Sequence, residues 1–534
     1  MAAKKQKPKT NKSASASAGL NHDLMVFRHL FASVTEEMGE ALRQSAVSPN
    51  IKERFDFSCA MLDAGGRLVA HAAHIPVHLG SAHMTVPAML QEVDPQDGDI
   101  IILNDPHRGG THLNDITVVA PFFANGKRIG FLMNRAHHAD VGGAEPGSMS
   151  GARDIYGEGF LIPPLHLQRS GEQVSEVWQL LQANVRDAQA ARGDLQAQCA
   201  ALHRGAQRLQ DLCTRFGSNK VQQGMAGLLH HGERLTRALL RTWPNGQGSA
   251  VDFMDGEDSP RMQCKVVKRK DQLQVSFEGT SLQVGSSWNT HQAVATSAIF
   301  YVLQSLSPDQ IPETSGTLEA VQMQFPPASL VSSEAPAGVA IGNVETSQRI
   351  VDVLLAALRQ LLPQQIPANS QGTMNNLLFG GNRADGSPFV YYETLGGGAG
   401  AGAEGDGASA VQVHMTNTRN TPVEVFEQEL PVRVHQLGLR RRSGGRGQRR
   451  GGDGLIKQIE FLEPARLTIT GTRRQQGPAG ANGGGDGKQG VEHLRRKNST
   501  SWTKLKPGQA IDVKPGDQIR IQTPGGGGWG SPGK

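Results

Sequence analysis

Residues with the means to do chemistry concentrate in 104–142, NDPHRGGTHLNDITVVAPFFANGKRIGFLMNRAHHADVG. Asn125-Gly126 lies between two apolar runs, the strongest short-range signal for a hairpin. With a two-residue loop, Ala124 faces Lys127 and paired residue numbers sum to 251. Asn114 then faces His137, Leu113 faces His138 and His112 faces Ala139. One hairpin therefore gathers His112, Asp115, His137 and His138 at its open end. Two imidazoles and a carboxylate suit a borderline divalent cation. Such a site, with open positions, can activate water or polarise a carbonyl. Alternate strand residues face opposite sides, so the pairing leaves open whether His137 or His138 completes the set. Asp105 and His107 are close enough in sequence to support the ligands or add to them.

Other candidates surround this stretch. His74 and His78 sit four apart, but Pro76 between them argues for extended or turn structure rather than a helical ligand pair. Asp56 is a candidate general base or orienting group, with a buried structural carboxylate as the alternative. Cys59 reads as a small core residue. Glu145 and Glu158 flank the PGSM loop and are acid/base candidates. The tract 394–407, TLGGGAGAGAEGDG, could hold a substrate carboxylate or phosphate on backbone N–H groups, with Gly397 and Gly398 at its centre. Arg419, just downstream, could pair bidentately with a substrate carboxylate, or simply tie down a loop.

No HExxH, GxSxG or GxxxxGK[ST] stretch occurs. Two GxGxxG matches, at 400–405 and 525–530, fall in glycine tracts and open no helix. The chain thus presents no recognisable ATP site of its own.

The elements that must position these groups read as follows. A helix capped by Asn21 or Asp23 runs to about Gln44, with Leu24, Phe27, Leu30, Phe31, Val34 and Met38 on the 3.6 period. Strand-like segments follow at DFSCAMLDA, RLVAHAA, 100–104, 116–123 and 128–137. Residues 175–245 form a helical block, clearest over 178–243, closed by Pro244 and Gly246. Short strands are expected over 250–330, including a hairpin in CKVVKRKDQLQVSFEG, then a helix over 344–362. From 363 onward short strands alternate with glycine-rich loops, and 390–534 forms a Gly-rich C-terminal region. Helix and strand runs do not alternate regularly. The fold class is therefore α+β, a large mixed multi-sheet catalytic subunit with a helical block, rather than a doubly wound sheet.

Composition bounds the function. The chain has 534 residues with Gly 65 and Pro 28, and only 19% of its residues are charged. At about 150 residues per domain, that length allows three or four domain-sized units. The net charge of +5 is local, from lysines in residues 1–19 and an arginine run at 440–450. Aromatics are 5%, so a dedicated nucleic-acid surface is not expected. The arginine run reads as a solvated loop or subunit contact. Residues 1–19 read as a disordered basic tail, and 20–532 as the catalytic domain. Four cysteines, far apart and without CxxC, exclude a disulfide scaffold and fit a reducing cytosol. No apolar run reaches the roughly 18 residues a span needs, so no membrane partner and a cytoplasmic location are expected.

Long blocks in order give the chain a resemblance to a family. SPNIKERFDFSCAMLD, HIPVHLG, NDPHRGGTHLND and AHHADVGG resemble the hydantoinase B/oxoprolinase family, as do GNVETSQRIVDVLL, SQGTMNNLLFGG, YYETLGGGAGA, HMTNTRNTPVEVFE and TPGGGGWGSP. The resemblance covers about 20–532. It is similar to the B half of ATP-dependent 5-oxoprolinase, the B subunit of N-methylhydantoinase and a subunit of acetone and acetophenone carboxylases. It implies a component that opens a cyclic amide such as 5-oxoproline or a hydantoin-type ring. ATP is handled by a hydantoinase A/oxoprolinase-like partner subunit. The alternatives are a ketone carboxylase subunit and a non-catalytic RNA-associated scaffold. In carboxylase relatives a divalent metal, manganese, sits on a His-x-x-Asp pair and a later His. Those positions match His112, Asp115 and His137 here, which selects His137, and the expected metal is Mn or Zn. Asp56, His138 and Asp105 are then the expected catalytic neighbours, and Gly397, Gly398 and Arg419 the expected substrate contacts. The sequence departs from the family at 473–490, which is more degenerate, and at 440–454, which is richer in arginine.

Overall fold

The computed structural model describes residues 12–72, 75–78, 80–149, 151–256, 258–307, 311–506 and 508–532. Helix α1 (Lys12–Ser45) passes straight through Asn21 and Asp23, so neither caps it. Its opening KSASASAG contains no proline, and its alanines favour helix, so propensity carries the helix past the expected start. Of the expected tail, residues 1–11 lie outside the described residues and 12–19 belong to α1. Phe27, Phe31, Val34, Met38 and Leu42 form the buried stripe of α1. Next comes the short α2 (Pro49–Lys52), with proline at its first turn.

The first sheet holds the residues of interest. Its strands are β1 (Phe57–Asp63), β2 (Leu68–Ala72), β3 (Ile100–Leu103), β4 (Asp115–Ala124), β5 (Lys127–His137), β6 (Leu165–Arg169) and β7 (Glu172–Gln173), in the order β2-β1-β5-β4-β3-β6-β7. The pairings are antiparallel. Helix α3 (Ala82–Met89) covers one face, packing Val86 and Met89 on Ile101, Val119 and Phe131. The other face lies under α1 and the helical block, where Leu202 and Leu209 meet Ile102, Val118 and Leu132. Burial on both faces explains why the central strands read as continuous apolar runs rather than alternating ones. A one-turn helix α4 (Ile155–Glu158), capped by Asp154, lies between β5 and β6.

The helical block is three helices, α5 (Ser175–Ala183), α6 (Ala188–Phe216) and α7 (Ser218–Thr242). Asp187 accepts the N–H of Ala190 and restarts the chain as α6. Gly217, at φ +82°, separates α6 from α7.

A second sheet, of β8 (Gly246–Phe253), β9 (Arg261–Arg269), β10 (Gln272–Ser276) and β11 (Val321–Gln324), includes the expected hairpin. The expectation of strands throughout 250–330 missed α8 (Gln292–Ser305). Ala293–Phe300 is buried on every side, so QAVATSAIFYVLQS carries no amphipathic period to announce a helix. Helix α9 (Ser347–Arg359) follows a single π-helical turn over Gly342–Thr346 and replaces the expected start at 344.

The last third adds β12 (Asn376–Asn382), β13 (Pro388–Thr394), β14 (Val432–Arg440), β15 (Gly454–Phe461), β16 (Ala465–Thr470), β17 (Val491–Arg495), β18 (Thr503–Lys504), β19 (Ile511–Val513) and β20 (Gln518–Gln522). They form the sheets β13-β12-β16-β19 and β14-β15-β20-β17-β18 around one apolar cluster. The glycine tracts are not loose loops. Residues 396–407, 443–454, 477–490 and 524–530 lie backbone against backbone. Among their bonds, Gly452 N–H donates to Ala399 O at 2.9 Å, Gly445 N–H to Gly526 O at 2.8 Å and Gly528 N–H to Gly485 O at 2.9 Å. A Cβ on Gly526 would stand 1.9 Å from Ala399 O, a distance only glycine avoids.

The fold is α+β, with its strands in several separate, mostly antiparallel sheets. No helix among the described residues is long and apolar enough to cross a membrane.

Candidate metal centre

Asn125 and Gly126, at φ 52° and 72°, form the expected two-residue turn, and Ala124 pairs with Lys127. The register then shifts. Phe123 pairs with Arg128 but Phe122 pairs with Gly130, so Ile129 is an extra residue on β5. This bulge overturns the expected partners of the open end: Asp115, not Asn114, lies opposite His137. Directly opposed residues share a face, so the bulge brings the Asp115 and His137 side chains together. His112 joins them from the turn before β4, where Asp115 N–H donates to His112 O at 3.1 Å.

His112 Nε2 lies 3.1 Å from Asp115 Oδ1, and His137 Nδ1 lies 3.3 Å from the same oxygen. One donor atom from each of the three residues falls within 4.8 Å of the others. All three are at most 3% exposed. Both nitrogens of His112, Asp115 Oδ1 and His137 Nε2 are buried without a hydrogen-bond partner. Leaving that many polar atoms bare costs several kcal/mol unless something satisfies them, with about 1–3 kcal/mol for each. Burial raises the Asp115 carboxyl, but the neighbouring His112 and His78 outweigh it and hold the group well below the usual carboxylate range. Burial lowers His137. An ionised carboxylate beside a neutral imidazole is the protonation state a divalent cation requires, and the residues present fit one.

The surroundings orient the donors. His78 Nε2 lies 3.1 Å from Asp115 Oδ2, and His78 Nδ1 lies 3.0 Å from Ser58 Oγ. Thr111 Oγ1 also donates to Asp115 Oδ2. One carboxylate oxygen is therefore fully engaged while Oδ1 faces the histidines. Tyr392 on β13 stacks on the His137 ring at 4.6 Å and donates its hydroxyl to Asn376. A cavity of about 20 Å³ adjoins the site, lined by Asp56, His78, Asn343, Tyr392, Thr394 and Thr416 among others. That is room for about one water molecule.

The remaining expected residues divide. Asp56 is brought to the site: its carbonyl accepts the His137 N–H at 3.0 Å, the residue lines the cavity, and its carboxylate lies 3.8 Å from the buried Arg54 guanidinium. His138 points to the opposite face of β5, where its Nε2 lies 2.9 Å from Gln198 Oε1 beside a different cavity of about 170 Å³. Strand alternation separates it from its neighbour. Asp105 caps the turn Pro106–Arg108 through the His107 N–H and pairs with Arg108, which occupies its carboxylate. Gly397 and Gly398 are buried. Their N–H groups donate to Val411 O and Pro524 O, both at 3.0 Å, and a Cβ on Gly398 would stand 2.1 Å from Gly452 O. Arg419 is exposed, with its guanidinium 4.7 Å over the Phe55 ring. His74 lies outside the described residues. Glu145 forms a two-bond ion pair with Arg466.

Sequence reasoning undervalued His78 and passed over Tyr392 and Asn343. Proline two residues before His78 was the reason to doubt it; the same proline opens the 3₁₀ turn Pro76–His78 that delivers the ring. Tyr392 sits on β13, 255 residues beyond His137, and no local pattern links the two. Glu158 is fully buried, its carboxyl is pushed up to about 7 by burial, and its Oε2 has no partner.

The family model described as Hydantoinase B/oxoprolinase matches residues 21–532. The chain is 39% identical to 5-oxoprolinase 1 of Arabidopsis thaliana, over 95% of this chain and 42% of that one. It therefore spans about two fifths of that relative's length. Among solved structures it is similar to an ATP-dependent caprolactamase from Pseudomonas jessenii, with a TM-score of 0.88, 26% identity, 95% of this chain and 90% of that chain covered. It shares the fold of an acetone carboxylase at a TM-score of 0.88 and 19% identity, covering 98% of this chain and 77% of that chain.

Proposed function

The chain belongs to the hydantoinase B/oxoprolinase family, and from that premise we propose that it is the metal-bearing component of an ATP-dependent enzyme that opens a cyclic amide. The observation that carries this reading is the convergence of His112, Asp115 and His137, all buried, with both His112 nitrogens, Asp115 Oδ1 and His137 Nε2 bare of hydrogen-bond partners. The substrate is 5-oxoproline, opened to glutamate, or a hydantoin-type ring. ATP is handled by a separate hydantoinase A/oxoprolinase-like subunit, consistent with the lack of a GxxxxGK[ST] stretch here. Residues 20–532 act as one catalytic unit.

His112, Asp115 and His137 would hold a divalent Mn or Zn, which when bound supplies a Lewis acid for a carbonyl oxygen or an activated water. Asp56 takes the proton lost as water adds to the carbonyl carbon. The C–N bond then breaks and Asp56 returns that proton to the departing nitrogen. Asn343, whose buried Oδ1 has no partner, accepts a hydrogen bond from the ring N–H. Tyr392 fixes the His137 ring, and the closed walls keep bulk water out.

The test is reconstitution of this chain with an A-type partner. ATP-dependent glutamate release from 5-oxoproline, without bicarbonate and lost in His137→Ala, is the expected result. A bicarbonate requirement with a ketone substrate would transfer the chain to the carboxylase branch suggested by its second structural neighbour.

A further inference from the structure

A buried carboxylate that no step of the proposed chemistry uses sits behind the metal centre. Glu345 lies in the π-helical turn Gly342–Thr346 and is fully buried. Its two oxygens collect donors from two other stretches of chain. Oε1 accepts the Met374 N–H at 3.0 Å and Asn376 Nδ2 at 2.8 Å. Oε2 accepts the Thr472 N–H at 2.9 Å and lies 2.8 Å from Thr472 Oγ1. Asn376 Nδ2 also donates to Thr470 O at 3.1 Å. With two acceptors against its nitrogen, the Asn376 amide has one orientation, which turns Oδ1 toward Tyr392. The Tyr392 hydroxyl donates to that oxygen at 3.1 Å, and the Tyr392 ring stacks on His137 at 4.6 Å. Contacts therefore run from Glu345 through Asn376 and Tyr392 to His137, and all four residues are buried.

We infer, on the reading of His112, Asp115 and His137 as a metal centre, that Glu345 is a positioning residue for that centre. Stacked rings can slide over one another, so the stack alone leaves the His137 plane loosely set. The Arg54 guanidinium, 4.7 Å from the Tyr392 ring centroid, is a face contact of the same loose kind. Among the described residues, the bond to Asn376 is what holds the hydroxyl end of Tyr392, and Glu345 is what holds the Asn376 amide. The same carboxylate fixes the cavity wall. Asn343 and Met374 both line the cavity; Asn343 shares the turn of Glu345, and the Met374 N–H is bonded to it. Ring plane and cavity wall are thus set from one buried group.

The test uses Co²⁺, whose visible bands report the geometry of its ligands. Bands and affinity are measured on the full chain in wild type, Glu345→Gln, Tyr392→Phe and the variant carrying both. Glu345→Gln keeps the size of the side chain and Tyr392→Phe keeps the stack on His137, so each cuts the tether alone. Each single variant is expected to shift the Co²⁺ bands and to weaken binding by about three- to tenfold, less than the roughly 10–100-fold of a partner bonded directly to a ligand. The double variant should bind no more weakly than Tyr392→Phe, because the tether is cut only once. A merely structural glutamate would lower the thermal midpoint, leave the bands in place and add its effect to that of Tyr392→Phe. Unshifted bands or additive effects would overturn the inference and leave the centre standing. Wild type that binds no Co²⁺ would overturn the centre and this inference with it. Where Glu345→Gln fails to fold, Asn376→Leu cuts the same tether in its middle and takes its place, with the same expected and overturning results.

Discussion

At the residue scale, His78 is the informative neighbour. Its Nδ1 takes the Ser58 hydroxyl, which leaves Nε2–H to donate to Asp115 Oδ2. Removing such a partner typically costs 10–100-fold in metal affinity. His78→Ala is expected to weaken metal binding at this centre by about that factor without abolishing it, whereas His112→Ala abolishes binding there; competition with a chelator of known affinity separates the two. Acid sensitivity follows from other buried histidines. His83 and His291 are both lowered by burial. Between their folded values and 6.5 the unfolded chain binds more protons, so stability is present above 6.5 and is lost as pH falls through that window. Glu158, raised to about 7, works in the opposite sense, losing its contribution as pH rises. Burial raises Glu345 as well, but with His83, His107, His231 and His291 all lowered against these two carboxyls, the metal-stripped protein is expected to melt lower at pH 5 than at pH 7. A higher midpoint at pH 5 would contradict this. The sequence exposed the donor types and their hairpin, but not the register. The single bulged Ile129 decides which residue faces His137, and nothing in GKRIGF marks it.

At the scale of elements, amphipathic helices were readable and evenly buried ones were not. The stripe of α1 was visible in Phe27, Phe31, Val34 and Met38, while α8 showed no period because all its faces are covered. The glycine tracts concealed most. Their composition says loop, and their packing is closer to a core of backbone. A Cβ on Gly452 would lie 1.9 Å from Ala408 O, whereas Gly405 has nothing within 4 Å. Gly452→Ala is therefore expected to destabilise by about 2–3 kcal/mol or more, through forced backbone movement. Gly405→Ala should stay within about 0.5 kcal/mol of wild type. Denaturant melts of the two variants provide the comparison, and equal midpoints would refute the packed-glycine account.

At the scale of the whole molecule, the centre is assembled from distant chain. The β1–β5 sheet supplies Ser58, Asp115 and His137, the turn after β2 supplies His78, and β13 supplies Tyr392. Long-range assembly of this kind is invisible to local patterns, which is why the resemblance to a family carried the choice of His137. The cavity at the centre is smaller than any cyclic amide, so turnover requires its walls to move. The isolated chain is accordingly expected to hydrolyse ATP no faster than a buffer control and to open no ring until the A-type partner is added. Steady-state assays with and without the partner measure this, and robust ATPase activity of the chain alone would contradict it.

The most direct test of the account is the metal content of the purified chain, wild type beside His112→Ala and His137→Ala, with circular dichroism showing that all three are folded. The account predicts that wild type, once offered Mn²⁺ or Zn²⁺, holds an ion that both variants lose. If folded wild type and both variants hold equal amounts, or wild type holds none, His112, Asp115 and His137 are not a metal centre and the proposed chemistry has no place to occur.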